Sequence, residues 1–467
     1  MVKKSNTNDG SGSSPKGASD KGAGNKSAND KGASRRDFLK KSSAAVMTTG
    51  VLASSLAIER ASYAQSNETI KIGLVGCGGR GSGAAAQALR ADKNIKLVAM
   101  CDAFKDRLEL SLKNLKRQAE VRNKVMVDED HKFDGFDGYK KLINSGIDVV
   151  LFATPPHFRP LQVEYAVKQG KHCFIEKPVC VDTAGYHRMW KACQDAKQKG
   201  LAICSGLCYR YDAPKREVMK RIHDGAIGDI VSMQSYFYTG GLWHRGNDPK
   251  WSKMEYQMRN WMYFYWLSGD HIVEQHVHSL DKCMWANQDE LPIKVMSTGG
   301  RQVRTEEKYG NIYDHFYNRF EFKNGVTLHS ASRQFQSRNP KIRLTGRVDD
   351  IVVGTKGRAH LQRHLIEGAN PYRWRRRAGQ KTVNMYDQEH IELFASIRNG
   401  KPVYNGDYMC NSTMLAIQAR TSAYTGLELT WDKMLKSKMD LTPPSYDMAL
   451  NDLPTPSVPI PGLTPFV

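Results

Sequence analysis

Ile70-Lys71-Ile72-Gly73-Leu74-Val75-Gly76-Cys77-Gly78-Gly79-Arg80-Gly81 is an apolar run that breaks into a glycine loop of the form G-x-G-x-x-G. Its length and its β-branched residues predict a buried strand. The Ala-rich stretch from Ser82 to Ala91 follows as a helix, and a second apolar strand, Lys96 to Cys101, ends in Asp102, twenty-one residues after Gly81. Gly76 permits a tight turn, Gly78 leaves bare backbone for a diphosphate to approach, and Gly81 lets helix lie close on strand. Gly79 and Arg80 complete the loop between Gly78 and Gly81 and are counted with the cofactor-binding residues. A glycine motif alone is a weak signal. Strand, loop, helix, strand and acid in this order make a mere flexible loop the poorer reading.

The order predicts a Rossmann βαβ unit holding a nicotinamide dinucleotide. Asp102 is placed to accept hydrogen bonds from the adenosine ribose hydroxyls and to repel a 2′-phosphate, so NAD is expected ahead of NADP, with Lys105 and Arg107 weighing the other way. The alternation continues through the strand Asp148 to Ala153, a helix near Pro160 to Gln169, the strand His172 to Ile175, the helix Ala184 to Gln198 and the strand Ala202 to Tyr209. This is a doubly wound sheet running to about Asp212. Ligands bind beyond the carboxyl ends of such strands, and there the chain carries Thr154-Pro155-Pro156-His157 and Glu176-Lys177-Pro178. The expected cofactor-binding set is therefore Gly76, Gly78, Gly79, Arg80, Gly81, Asp102, Thr154, Pro155, His157, Glu176 and Lys177.

Together G-x-G-x-x-G, T-P-x-H and E-K-P resemble the Gfo/Idh/MocA oxidoreductases, the glucose-fructose oxidoreductase and inositol dehydrogenase type. The resemblance extends from Ile70 to Trp431: Gly225-Ala226-Ile227-Gly228-Asp229-Ile230 is similar to the strand that opens the family's second domain, and the helix Met414 to Tyr424 and G-x-x-x-x-W-D at Gly426 to Asp432 are similar to its close. It implies an α/β chain with a doubly wound Rossmann domain over 66–212. An α+β domain over 213–440, with a largely antiparallel open sheet, would serve substrate binding and oligomerisation. The sequence itself marks that sheet at Ile293 to Ser297, in a hairpin Phe320 to Ser330 turning at Asn324-Gly325, and at Asp350 to Leu361. A homo-oligomer, dimer or tetramer, is implied as well. Leu441 to Val467, with seven prolines, reads as a tail that wraps the surface or a neighbour.

Pro178 ends its strand and biases Lys177 toward an extended backbone, which fixes where that side chain starts. The family's helical D-x-G-x-H-x-x-D is matched by Glu274-Gln275-His276-Val277-His278-Ser279-Leu280-Asp281, with Glu in place of the first Asp and His276 in place of Gly. The resemblance implies that His278 takes a hydroxyl proton, Lys177 stabilises the alkoxide and Glu274 orients His278 or a neighbouring hydroxyl. Arg210, His271 and Asp281 are expected toward the substrate. His271, Glu274, His278 and Asp281 fall on one face of a helix expected over Trp261 to Trp285. That face reads as a site or as a solvated surface; a metal site on His271, Glu274 and His278 lacks a supporting motif such as H-E-x-x-H. The expected activity is oxidation of a sugar hydroxyl, or reduction of a keto sugar, with a tightly held cofactor. An NAD-dependent glycosidase that oxidises, eliminates, adds water and re-reduces is one alternative, and a sugar-binding protein that has lost turnover is another.

Residues 1 to 33 are Ser, Gly, Asn, Lys and Ala with scarcely a large apolar side chain, a composition that predicts disorder. Ser34-Arg35-Arg36-Asp37-Phe38-Leu39-Lys40, a mildly apolar stretch from Ser42 to Ala57 and Ala61-Ser62-Tyr63-Ala64 then match a twin-arginine export signal over 1–64. The apolar stretch is short for a membrane span. Periplasmic delivery by the twin-arginine translocase is expected. The formal net charge of +21 favours anionic partners in general. The basic run Arg373-Trp374-Arg375-Arg376-Arg377 has no nucleic-acid module beside it, so nucleic acid is not an expected partner. Nine cysteines, an odd set mostly inside apolar runs, predict buried thiols rather than a disulfide framework.

Overall fold

A computed structural model describes residues 68–377 and 379–467. The leader and its arginine pair lie outside the described residues. The first sheet is parallel throughout: β1 (Ile70–Val75), β2 (Ile95–Asp102), β3 (Lys132–Asp134), β4 (Val149–Phe152), β5 (His172–Ile175) and β6 (Ile203–Ser205), in the order β3-β2-β1-β4-β5-β6. Its strands are apolar without alternation because helices cover both faces, and every residue of β4 and β5 is buried. Strand order reverses between β1 and β4, so the crevice where a ligand sits opens at their carboxyl ends.

The second sheet has nine strands: β7 (Ile230–Thr239), β8 (Pro292–Gly300), β9 (His315–Phe322), β10 (Thr327–Gln334), β11 (Arg347–Gly354), β12 (Gly357–His360), β13 (Leu365–Gly368), β14 (Tyr372–Arg373) and β15 (Leu429–Thr430). Their order is β14-β13-β12-β11-β7-β10-β9-β8-β15, antiparallel except where β10 runs parallel to β7. The β9–β10 hairpin turns at Asn324-Gly325, where Gly325 adopts φ 79°. One face is covered: Phe316, Asn318, Phe320 and Phe322 of β9 are buried, while Tyr317 between them is 47% exposed.

The continuous helix expected over Trp261 to Trp285 does not form. A 3-10 turn (Trp261–Tyr263) and one helical turn (Tyr265–Ser268) stop at Gly269 and Asp270, both at positive φ, and a π-helical turn (Ile272–His276) leads into the α-helix Val277–Ala286. Asp270 causes the break. Its carboxylate accepts from the Tyr313 amide at 2.7 Å and the Tyr424 hydroxyl at 2.6 Å, and these partners hold a backbone that a non-glycine residue otherwise avoids.

Two later segments bind the halves together. The helix Met385–Arg398 returns to the first sheet, where Leu393, Phe394 and Ile397 join the apolar cluster of Ile70, Ile72 and Leu74, and Arg90–Asp387 and Arg398–Asp92 pair at 2.7 and 2.9 Å. The half built on the first sheet therefore includes this helix, which follows the second sheet's strands β7 to β14 in the chain. The helix Gly406–Thr425 is buried along almost its whole length. The Pro-rich tail lies across the second half, with Pro459 O accepting from the Tyr313 hydroxyl at 2.8 Å. All nine cysteines are buried free thiols. Among the described residues no helix is long and apolar enough to cross a membrane.

Candidate active site

The glycine loop shows why each glycine is needed. Gly76 sits at φ +96°, and an added Cβ would fall 2.6 Å from the Ala153 carbonyl carbon; at Gly81 it would fall 1.8 Å from the Gly76 oxygen. At Gly78 and Gly79 an added Cβ meets nothing within 4 Å. The loop is thus tight where it touches strand and helix and bare on its open side. That side lines a cavity of about 350 Å³ together with Arg80, Asp102, Thr154 and Pro155. A bare glycine backbone at a helix start, below an acid at the end of β2, fits the diphosphate and ribose of a dinucleotide.

The Asp102 oxygens accept from the Cys77 and Phe104 amides at 2.6 and 2.9 Å, and burial raises its pKa. Each oxygen keeps acceptor capacity for a ribose hydroxyl. Arg159, which the sequence reading missed, ties the two mouth loops together. Its buried guanidinium donates to Thr154 O at 2.5 Å, to Glu176 O at 2.9 Å and to Pro178 O, and burial holds its pKa down to about 10.

Three expected cofactor residues have side chains engaged by protein partners. Arg80 borders the cavity, but its guanidinium is taken up by Glu176, by Gln87 at 2.7 Å and by Glu389 at 3.0 Å, so Arg80 and Glu176 face each other. His157 turns from the cavity to the tail, where its Nε2 lies 2.8 Å from the Tyr446 hydroxyl, and burial lowers its pKa to about 4.

Lys177, Glu274 and His278 do come together. β4 and β5 pair in register through Phe152 and Ile175, which sets Thr154 and Lys177 side by side just beyond the ladder. The Lys177 ammonium donates to the Glu274 carbonyl at 2.5 Å and to its Oε1 at 3.2 Å, so the π-helical turn presents both backbone and side chain to the lysine. His278 starts the following helix with its ring edge-on to Tyr209, centroids 5.2 Å apart. Burial, and then the charges of Lys177, Lys282 and Arg80, hold its pKa well below the usual imidazole range. The ring is neutral at pH 7, and among the described residues its buried Nδ1 has no partner. Lys282, four residues on, forms a fully buried ion pair with Asp350 and lies 4.3 Å from the centre of the Tyr209 ring. Its spacing from His278 is the one sequence signal that could have found it.

The structure ties Arg210, His271 and Asp281, expected toward the substrate, to protein partners. Arg210 donates to Asp281 at 2.8 to 3.1 Å and to Asp289 at 2.5 and 3.0 Å, over the Tyr408 ring at 4.0 Å. Asp281 also accepts from Ser412 at 2.9 Å. His271 lies 3.0 Å from Asp270 and 3.1 Å from Ser332 and is 1% exposed. The break at Asp270 turns His271 into the second sheet, so the four-residue face never forms. Among the described residues no group of three His, Cys, Asp or Glu side chains is placed to hold a metal.

Residues 70–203 match the model of the GFO_IDH_MocA family, described as "Oxidoreductase family, NAD-binding Rossmann fold". The chain is similar to 2,7-anhydro-N-acetylneuraminate hydratase of Escherichia coli, 29% identical over 38% of this chain and 44% of that one. It is also similar to a glycosyl hydrolase family 109 protein of Solibacter usitatus, 24% identical over 49% of this chain and 51% of that one. These matches span about half the length of those relatives, or less. Among solved structures it shares its fold with an aldose-aldose oxidoreductase from Caulobacter crescentus: 18% identity, TM-score 0.58, covering 78% of this chain and 100% of the other. A myo-inositol 2-dehydrogenase from Lactobacillus plantarum matches at 18% identity and TM-score 0.57, covering 78% of this chain and 99% of that one. Residues 70–203 thus resemble the NAD-binding Rossmann domain of that family, and over 78% of its length the chain shares the fold of the two solved structures.

Proposed function

We propose that the chain is a nicotinamide-dependent oxidoreductase of the Gfo/Idh/MocA type, acting on a hydroxyl or keto group of a sugar or sugar derivative. The observation that carries this reading is the Lys177 ammonium held by Glu274, one helical turn before His278, at the carboxyl edge of a sheet whose glycine loop is cut for a dinucleotide. When bound, the dinucleotide supplies the hydride acceptor or donor. His278, uncharged, can take the proton of a substrate hydroxyl. Lys177 is fixed through Glu274 yet keeps a donor for the oxygen as it becomes an alkoxide. Glu274 positions that ammonium. In the reverse direction the same groups protonate and polarise a carbonyl.

The names of the hydratase and family 109 relatives favour a second reading. The same proton acceptor and oxyanion donor serve an oxidation followed by elimination, addition of water and re-reduction, with no net redox change. A panel of sugars separates the two. Under the first reading a sugar changes the near-ultraviolet absorbance of bound nicotinamide and an oxidised or reduced sugar accumulates; under the second, a hydrolysed or hydrated product accumulates. No spectral change and no product with any sugar would contradict both.

We also propose that the protein is exported to the periplasm by the twin-arginine translocase, on the strength of Ser34 to Lys40. Arg35→Lys with Arg36→Lys should leave it in the cytoplasm with its leader attached. Normal processing in that double variant would contradict export by this route. A homo-oligomer joined through the open face of the second sheet completes the reading; Ile293, Met296 and Tyr317 are each 47% exposed.

A further inference from the structure

The cavity has a wall that the dinucleotide fingerprint does not explain. Trp243, Arg245, Met258, Arg259 and Trp261 come from the segment between β7 and the Asp270 break, far along the chain from the glycine loop, yet they line the same cavity as Phe104, Arg107 and Phe136. Direct contacts place this wall at the Asp102 end. Arg259 lies 4.1 Å from the centre of the Phe104 ring and pairs with Asp106 at 3.1 Å. Trp243 and Trp261 meet edge to face at 6.4 Å, and the Arg245 guanidinium lies 4.5 Å from the Trp243 ring centre. The surface offered is one of aromatic faces and guanidinium planes, which suits the flat face of a purine.

Its charge points the same way. Arg107 and Arg245 have no carboxylate within ion-pair distance among the described residues, and burial together with Arg107 depresses the pKa of Arg245. Arg107 acts on Asp102 at the cavity, and Arg245 beside it adds a further positive charge to this wall, which favours an anionic occupant.

The segment is held from both sides. The Asn260 side chain accepts from the Arg245 amide at 2.8 Å and donates to Gly246 O at 3.1 Å, and the Tyr263 hydroxyl donates to Leu242 O at 3.0 Å, closing the loop on itself. On its outer side the Pro-rich tail holds it down: Ser252 Oγ donates to Met448 O at 2.5 Å, the Met254 amide to Leu450 O at 3.1 Å, and Gln257 Nε2 to Thr455 Oγ1 at 3.1 Å. Leu453 is buried in the same apolar cluster as Met254 and Met258.

We infer that Leu242 to Trp261 is a cap over the adenosine half of the dinucleotide, with Trp243 and Trp261 as its base-facing residues and the tail as the strap that holds it shut. This rests on the reading of the cavity as a dinucleotide site. A cofactor enclosed in this way leaves only when the cap parts from Phe104 and Asp106, so it stays bound from one turnover to the next. Resident cofactor is what an oxidoreductase needs in a compartment without a dinucleotide pool.

The test measures release rather than activity. The full chain, stripped of nucleotide and reloaded with NADH or NADPH, is mixed with excess oxidised dinucleotide, and energy transfer from tryptophan to the reduced nicotinamide follows dissociation. Trp243 is 37% exposed, so Trp243→Ala leaves the core intact; Leu453→Ala loosens the strap without touching the cavity. The inference expects release roughly tenfold faster in Trp243→Ala, the scale of one lost stacking contact, and faster release in Leu453→Ala as well. Variants that bind and release like wild type overturn the cap. A wild-type chain that takes up neither nucleotide overturns the dinucleotide reading itself, a distinct result.

Discussion

His278 and Asp281 stand three residues apart on one helix and belong to opposite kinds of cluster. Around Asp281 both oxygens are matched: Arg210 donates to each and also reaches Asp289, an aromatic ring covers the guanidinium face, and Ser412 donates to Oδ1. Around His278 much is left over. Among the described residues its buried Nδ1 has no partner, and Lys177 is tied only to Glu274. Satisfied polar groups hold a fold together, whereas polar groups held in place with unused capacity are available to a substrate. Type and spacing made the two residues look alike in sequence; their partners separate them.

Breaking each cluster should give different symptoms. The largest effect is expected from His278→Ala, which removes the proton acceptor and should lower turnover by roughly 10²- to 10⁴-fold while thermal stability and dinucleotide binding stay near wild type. A drop in melting temperature with turnover kept would make His278 a packing residue. Asp281→Ala should do the reverse. Leaving Arg210 buried and partly unpaired costs about 3–5 kcal/mol of folding stability, read by denaturant titration, while the folded fraction still binds nucleotide.

Gly78→Val sharpens the contrast at the loop. The Cβ it adds meets nothing within 4 Å, so stability should hold while dinucleotide affinity falls by roughly tenfold or more in a binding titration. Gly81→Ala should instead destabilise the fold, because its Cβ collides with Gly76 O.

The smallest effect concerns pH. An unfolded His157 takes a proton near its ordinary pKa of 6.5, the folded one only at about 4, so its contribution to stability is complete above pH 6.5 and is lost as pH falls toward 4. Turnover should show no acid limb at 6.5, because His278 remains neutral there. A rate that halves near pH 6.5 would place an ordinary histidine in the mechanism.

The glycine loop was legible in the sequence because its demands are local: a positive φ at Gly76 and a close approach at Gly81 can be read within six residues. The second sheet was legible through its turn at Asn324-Gly325 and the strand-like runs Ile293 to Ser297 and Asp350 to Leu361. The path from Trp261 to Trp285 was not. Its break is set by Tyr313 and Tyr424, 43 and 154 positions from Asp270, and no helical periodicity reveals partners at that distance. The same holds for Arg210, whose partner Asp281 is 71 residues away, and for the wall of Trp243 and Trp261, which meets the glycine-loop cavity only through the fold. Lys177, Glu274 and His278 converge even so, because the π-helical turn brings Glu274 back over the end of β5.

The central claim is that the cavity holds a nicotinamide dinucleotide as a resident group. The most direct test is to purify the full chain without added cofactor, denature it, and identify by mass spectrometry whatever nucleotide is released. The account predicts NAD(H) or NADP(H) close to stoichiometric with protein; a folded protein that releases no nicotinamide dinucleotide and takes up none when it is supplied would contradict it.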